Sequence, residues 1–158
     1  MVTAPFDTLW RVTVATPFQS SRDTPGSGVH ALAGFRIVLV DDDPDARDLL
    51  ATVLVQRSAE VFAASSAPEA FALLKEHRPD VLISDIAMPE EDGYMLIRRV
   101  RALGADEGGL TPAVAVTAYA GRADRRRALE AGFDDHYAKP IDLDKLVDRL
   151  VEIRNAAP

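Results

Sequence analysis

The chain of 158 residues sets 18 basic against 25 acidic side chains, a formal charge of −7, and so lacks the basic footprint of a dedicated nucleic-acid binder. It has no cysteine, which excludes a disulfide framework, a thiolate metal site and a cysteine nucleophile. With 47% apolar and 27% charged residues it is composed like one ordinary domain with a real core, and no apolar stretch is long enough to span a bilayer.

The start Met1-Val2-Thr3-Ala4-Pro5-Phe6-Asp7 has no basic patch ahead of an apolar run, so a secretory signal is not expected and a cytoplasmic location is. Residues 1–34 read as an N-terminal arm and linker. Trp10, Val12 and Val14 alternate with Arg11 and Thr13, a weak strand pattern, and residues 19–28 are rich in Ser, Pro and Gly.

From Phe35 onward, short apolar runs alternate with amphipathic stretches. Residues 36–40 predict a buried strand that halts at Asp41-Asp42-Asp43. Asp43 reads as an N-cap with Pro44 at the first position of a helix over 44–57. Ala46, Leu49, Leu50, Val53 and Leu54 fall at the spacing of a buried stripe on that helix. A strand over 60–63 follows, then a helix from Ser66 or Ala67 to about His77. Residues 81–84 predict the third strand, which halts at Asp85, and a loop leads to a helix over about 92–103. The fourth strand, 112–116, halts at Thr117. A helix over about 121–131 stops at Gly132, a good C-cap residue. The fifth strand, 135–138, halts at Lys139, and a last helix runs from 142 to about 154.

Five strands alternating with five helices predict an α/β fold: a parallel sheet with right-handed crossovers and helices on both faces. The expected arrangement is flavodoxin-like, strand order 2-1-3-4-5, with its switch point between the first and third strands. Ligands bind beyond the carboxyl ends of such strands, so Asp41, Asp42, Asp85, Thr117 and Lys139 are expected to converge there.

Crowded carboxylates raise one another's pKa, and a hard divalent cation relieves this. Mg²⁺ takes oxygen ligands and keeps several waters, so one or two carboxylates suffice. An aspartate can also attack phosphorus to give an acyl phosphate, while an ammonium and a hydroxyl meet the phosphoryl oxygens.

In order and at their spacing, the segments VLVDDDPDAR, LISDIAMPEEDGY, AVTAYA and HYAKPID resemble the hallmarks of the receiver domain of two-component response regulators, over residues 35 to 154. Residues 155–158 are left as a tail. The resemblance implies a phosphorelay switch rather than a turnover enzyme. Asp85 matches the phosphoacceptor, served by a histidine kinase or histidine phosphotransfer protein. Asp42 matches the direct ligand of Mg²⁺ (or Mn²⁺), and Asp41 its neighbour that acts through a water on the metal. Asp85 and the backbone carbonyl of Ala87 complete the ligand set. Thr117 matches the switch hydroxyl, and Lys139 the lysine that pairs with the phosphoryl group, its bond to Pro140 being cis. The surface of the fourth helix, fifth strand and fifth helix is where output is read, by a downstream protein that the sequence does not name. No nucleic acid or membrane is bound directly, and a homodimer is left open.

The chain departs from the family pattern in places. The switch position three residues before Lys139, usually Tyr or Phe, is His136. Ala87 cannot orient a water by hydrogen bonding, and Tyr119 is placed to shield the acyl phosphate, so a long-lived phosphorylated state is expected. Arg122, Arg125, Arg126 and Arg127 crowd the fourth helix, either as a solvated face or as a patch for an acidic partner or a neighbouring receiver. A rival reading is a haloacid-dehalogenase-type phosphohydrolase, with Asp41 as nucleophile and Asp43 as acid/base. That reading leaves Asp85 unexplained.

Overall fold

Each apolar run forms a strand and each amphipathic stretch a helix in a computed structural model of the protein, which describes residues 28–119 and 121–156. The strand pattern at Trp10–Val14 lies outside the described residues. The elements are β1 (Arg36–Val40), α1 (Pro44–Gln56), β2 (Glu60–Ala64), α2 (Ala67–His77), β3 (Val81–Asp85), α3 (Gly93–Arg101), β4 (Ala113–Thr117), α4 (Arg122–Ala131), β5 (Asp135–Ala138) and α5 (Leu143–Ala156). The strands pair in parallel in the order β2-β1-β3-β4-β5, a flavodoxin-like sheet.

Local chemistry starts the helices as the residue types require. Asp43 is extended and its Oδ1 accepts the Asp45 N–H at 3.0 Å, so it caps α1. Ser66 caps α2 and Asp92 caps α3 in the same way. Gly132, with φ at 129°, ends α4 in a conformation closed to most side chains.

Alternate residues of the strands feed two cores. Ile37, Leu39, Ile83, Val114 and Val116 pack against Leu50 and Leu54 of α1 and Leu146 and Leu150 of α5. Val38, Val40, Leu82, Ala113 and Ala115 pack against Leu74 of α2, Ile97 of α3 and Ala128 of α4. Leu32, just ahead of β1, is fully buried in the α1/α5 layer, so packing begins before the first strand. One expectation fails within α1: Leu49 is 63% exposed, not buried. Its stripe is wider than the strip of sheet that α1 covers, and Leu49 falls at the rim, over the carboxyl ends of the strands. No helix among the described residues is long and apolar enough to cross a membrane.

Arg101, at the end of α3, binds the opposite edge of the sheet. Its guanidinium donates to the carbonyls of Gly132, Gly109 and Thr111 at 2.9, 2.9 and 2.6 Å, and to Asp134 at 3.0 Å. These acceptors precede β4 and β5, so one side chain satisfies the loops entering both strands.

Candidate functional site

Strand register sets the site. Val40 lies level with Ser84, Asp85 with Val116, and Thr117 with Ala138. The residues at these strand ends therefore meet along one edge of the sheet, at the switch point between β1 and β3. Asp41 and Asp85 are 6% and 7% exposed and Thr117 is 1% exposed, whereas Asp42 is open to solvent.

Each group is held by its own loop. The two oxygens of Asp41 are divided: Oδ1 accepts the Asp43 N–H at 2.9 Å, and Oδ2 accepts the Lys139 ammonium at 2.9 Å. Arg47 donates to the Asp41 carbonyl at 2.8 Å and steadies the turn into α1. Lys139 also lies 3.5 Å from Asp85. The Lys139 N–H donates to the Thr117 carbonyl at 2.8 Å, tying the ends of β4 and β5 together, and the Lys139–Pro140 bond is cis. Gly93 packs so tightly beneath Asp85 that a Cβ there would stand 2.4 Å from the Asp85 carbonyl.

One carboxylate oxygen from each of Asp41, Asp42 and Asp85 lies within 4.8 Å of the others. Burial and the neighbouring Asp41 push the Asp85 carboxyl up to about 6, against the opposing pull of Lys139. Burial opposes the Lys139 ammonium, yet Asp41 and Asp85 together hold its pKa above the ordinary value. The cluster is thus short of positive charge, and its hard oxygen set fits Mg²⁺.

The sequence-derived residues divide plainly. Asp41, Asp42, Asp85 and Lys139 come together, with Thr117 on the adjoining strand end. Asp43 is an exposed cap rather than a member of the cluster, which removes the acid/base that the hydrolase reading requires. His136 is 8% exposed in β5, and its Nε2 is buried without a partner among the described residues. Burial holds its pKa below the ordinary value, although the Tyr119 backbone favours the charged form. Thr117 Oγ1 accepts the Tyr119 N–H at 3.2 Å, and the Tyr119 side chain is 63% exposed. Sequence reasoning missed a cavity of about 220 Å³ beside Asp85 and Lys139, walled by Ala46, Leu49, Leu50, Pro140, Ile141 and Leu143. An exposed leucine at the sheet edge has no signature that separates it from a core leucine.

The sequence profile of the family described as "Response regulator receiver domain" matches residues 37–151. The chain belongs to this family. The receiver is 48% identical over 124 residues to an uncharacterized 14.6 kDa protein of Leptolyngbya boryana, covering 78% of this chain and 92% of that one. It is 38% identical to part of the sensor histidine kinase RcsC of Salmonella typhi, covering 72% of this chain and 12% of that protein. Among solved structures, the receiver domain of sensor histidine kinase PA1611 from Pseudomonas aeruginosa superimposes with a TM-score of 0.67 at 31% identity, over 76% of this chain and 96% of that one. That structure has a magnesium ion coordinated in its active site cleft. Two-component signalling is therefore the setting of this receiver.

Proposed function

We propose that Asp85 accepts a phosphoryl group from a phosphohistidine of a histidine kinase or histidine phosphotransfer protein. The modified receiver then presents an altered protein-binding surface on α4, β5 and α5. The observation that carries this reading is the ring around one buried carboxylate: Asp41 and Asp42 within 4.8 Å, and Lys139 at 3.5 Å.

In the transfer, one Asp85 oxygen bonds to phosphorus as the donor's P–N bond breaks, and the imidazole nitrogen keeps the electron pair. Lys139 balances charge on the phosphoryl oxygens, and its hold on Asp41 keeps the ammonium in place before transfer. Asp41, Asp42, Asp85 and the Ala87 carbonyl would hold Mg²⁺ (or Mn²⁺), which supplies counter-charge to the carboxylates and the phosphoryl group when bound. The receiver acts on its own aspartate, not on a turnover substrate. The apolar cavity under exposed Leu49, opening next to Asp85, supports a protein donor, since a small phosphodonor has no use for an apolar wall there.

Readout follows from the Thr117 hydroxyl. It now accepts the Tyr119 N–H, so turning it to a phosphoryl oxygen releases Tyr119, whose backbone lies beside buried His136. Intact-mass measurement with Mg²⁺ and acetyl phosphate tests the reading. The wild type gains one phosphoryl group and Asp85→Asn gains none; equal uptake by both proteins refutes the assignment.

A further inference from the structure

The outward stripe of α4 carries charge that the fold leaves unmatched. Arg122 and Arg126 lie one turn apart and exposed, and among the described residues neither meets an acid. Like charges at this spacing weaken a helix. The other two arginines of α4 are engaged within the domain: Arg125 lies 3.6 Å from Asp135, and Arg127 lies 4.3 Å over the Tyr94 ring. Leu129 continues the stripe at 39% exposure, and Tyr119 is 63% exposed in the loop entering the helix.

We propose that this stripe docks an acidic segment of a partner protein, whose carboxylates pair with Arg122 and Arg126 and whose apolar side chains cover Leu129 at one end and Tyr119 at the other. The proposal rests on the switch reading above and names the chemistry of the output partner. Every base on α4 is arginine, whose planar fork holds a carboxylate through two hydrogen bonds where an ammonium cannot. The two guanidiniums stem from positions about 6 Å apart along the helix. Carboxylates two residues apart on an extended segment, or four apart on a helix, repeat that spacing. A leucine and a tyrosine beside paired arginines give the mixture of anchors that protein interfaces favour. Nucleic acid fits less well. Two free guanidiniums neutralise few phosphates, and the chain's net charge of −7 repels the rest. Because Tyr119 is tethered to Thr117 Oγ1, the apolar part of the stripe shifts when that hydroxyl is drawn away, so docking depends on the state of Asp85.

The test uses the full chain, with and without Mg²⁺ and acetyl phosphate, and a fluorescein-labelled peptide alternating Glu with Leu. The phosphorylated chain is expected to bind the peptide more tightly than the unmodified chain. Arg122→Glu with Arg126→Glu weakens binding by roughly tenfold or more. Arg98→Glu with Lys75→Glu, the same charge change on α3 and α2, leaves it within about twofold. Binding that survives the α4 double variant, equal binding of a Lys–Leu peptide, or preference for a labelled DNA duplex overturns the proposal. So does a dimer in sedimentation that the double variant abolishes, which assigns the stripe to a second copy. Intact mass on the same samples separates the failures. A chain that takes no phosphoryl group sinks the switch reading; a phosphorylated chain that ignores the peptide sinks the docking stripe alone.

Discussion

The Lys139 ammonium meets the Asp41 carboxylate at 2.9 Å across 98 residues of sequence, joining the end of β5 to the end of β1. The same ammonium lies 3.5 Å from Asp85, so one cation serves two buried acids. Lys139→Met keeps the length of the side chain and removes the charge. In the proposed transfer, phosphorylation by acetyl phosphate slows by roughly tenfold or more, as measured by intact mass against time. Stability at neutral pH falls by about 1–3 kcal/mol in urea titrations, because two carboxylates lose their partner.

Asp85 carries its own pH dependence. Its folded pKa of about 6 lies above the ordinary 3.8, so the folded chain binds more protons across that window. Stability is then greatest below the window and falls as pH rises through it. In EDTA, Asp85→Asn is expected to be more stable than wild type by about 1–3 kcal/mol at neutral pH, at 1.36 kcal/mol per unit. The difference fades below about pH 4. Mg²⁺ raises the Tm of the wild type and has far less effect on the variant.

Gly93 tests how closely the chain packs beneath Asp85. A methyl group there meets the Asp85 carbonyl at 2.4 Å and the Ile86 Cα at 2.9 Å, both backbone atoms that cannot step aside. Gly93→Ala is expected to cost about 1–3 kcal/mol in chemical denaturation. In the proposed transfer it also lowers phosphoryl uptake more than its stability loss explains, because it displaces Asp85 itself.

His136 sits in β5 with an imidazole whose Nε2 is buried without a partner among the described residues. Its folded pKa is held below 6.5 by burial, so the unfolded chain takes up the proton first. Stability is therefore lost as pH falls through that interval. His136→Phe removes this dependence and a buried orphan nitrogen worth about 1–3 kcal/mol. The stability advantage of the variant should widen between about pH 7 and about pH 5, and a constant advantage would refute the account.

Ala87 offers no hydrogen bond to a hydrolytic water. The phosphorylated form should persist for minutes or longer on Phos-tag gels, and Ala87→Asn should shorten its life. Decay of the wild type within seconds refutes this.

Most of the fold was legible because burial on both faces of a parallel sheet leaves a simple mark. Arg36–Val40, Val81–Asp85 and Ala113–Thr117 are short apolar runs that stop at the polar groups of the site. The cluster of Asp41, Asp42, Asp85 and Lys139 followed from strand ends alone. Other features depend on where loops run in space. Leu49 matched a buried stripe, yet its exposure depends on where the rim of the sheet falls beneath α1. Arg101 has no distinguishing mark in the sequence, because carbonyl acceptors leave no trace in side-chain pattern. Gly93 was visible only as part of a motif, since close backbone approach is a property of two chain segments together.

The guanidinium of Arg101 has a wider meaning for this receiver. By fastening the entries to β4 and β5, it anchors the end of the sheet opposite Thr117 and Lys139. In the proposed switch, a change at Thr117 or Lys139 then works against an anchored base on the far side of the same two strands.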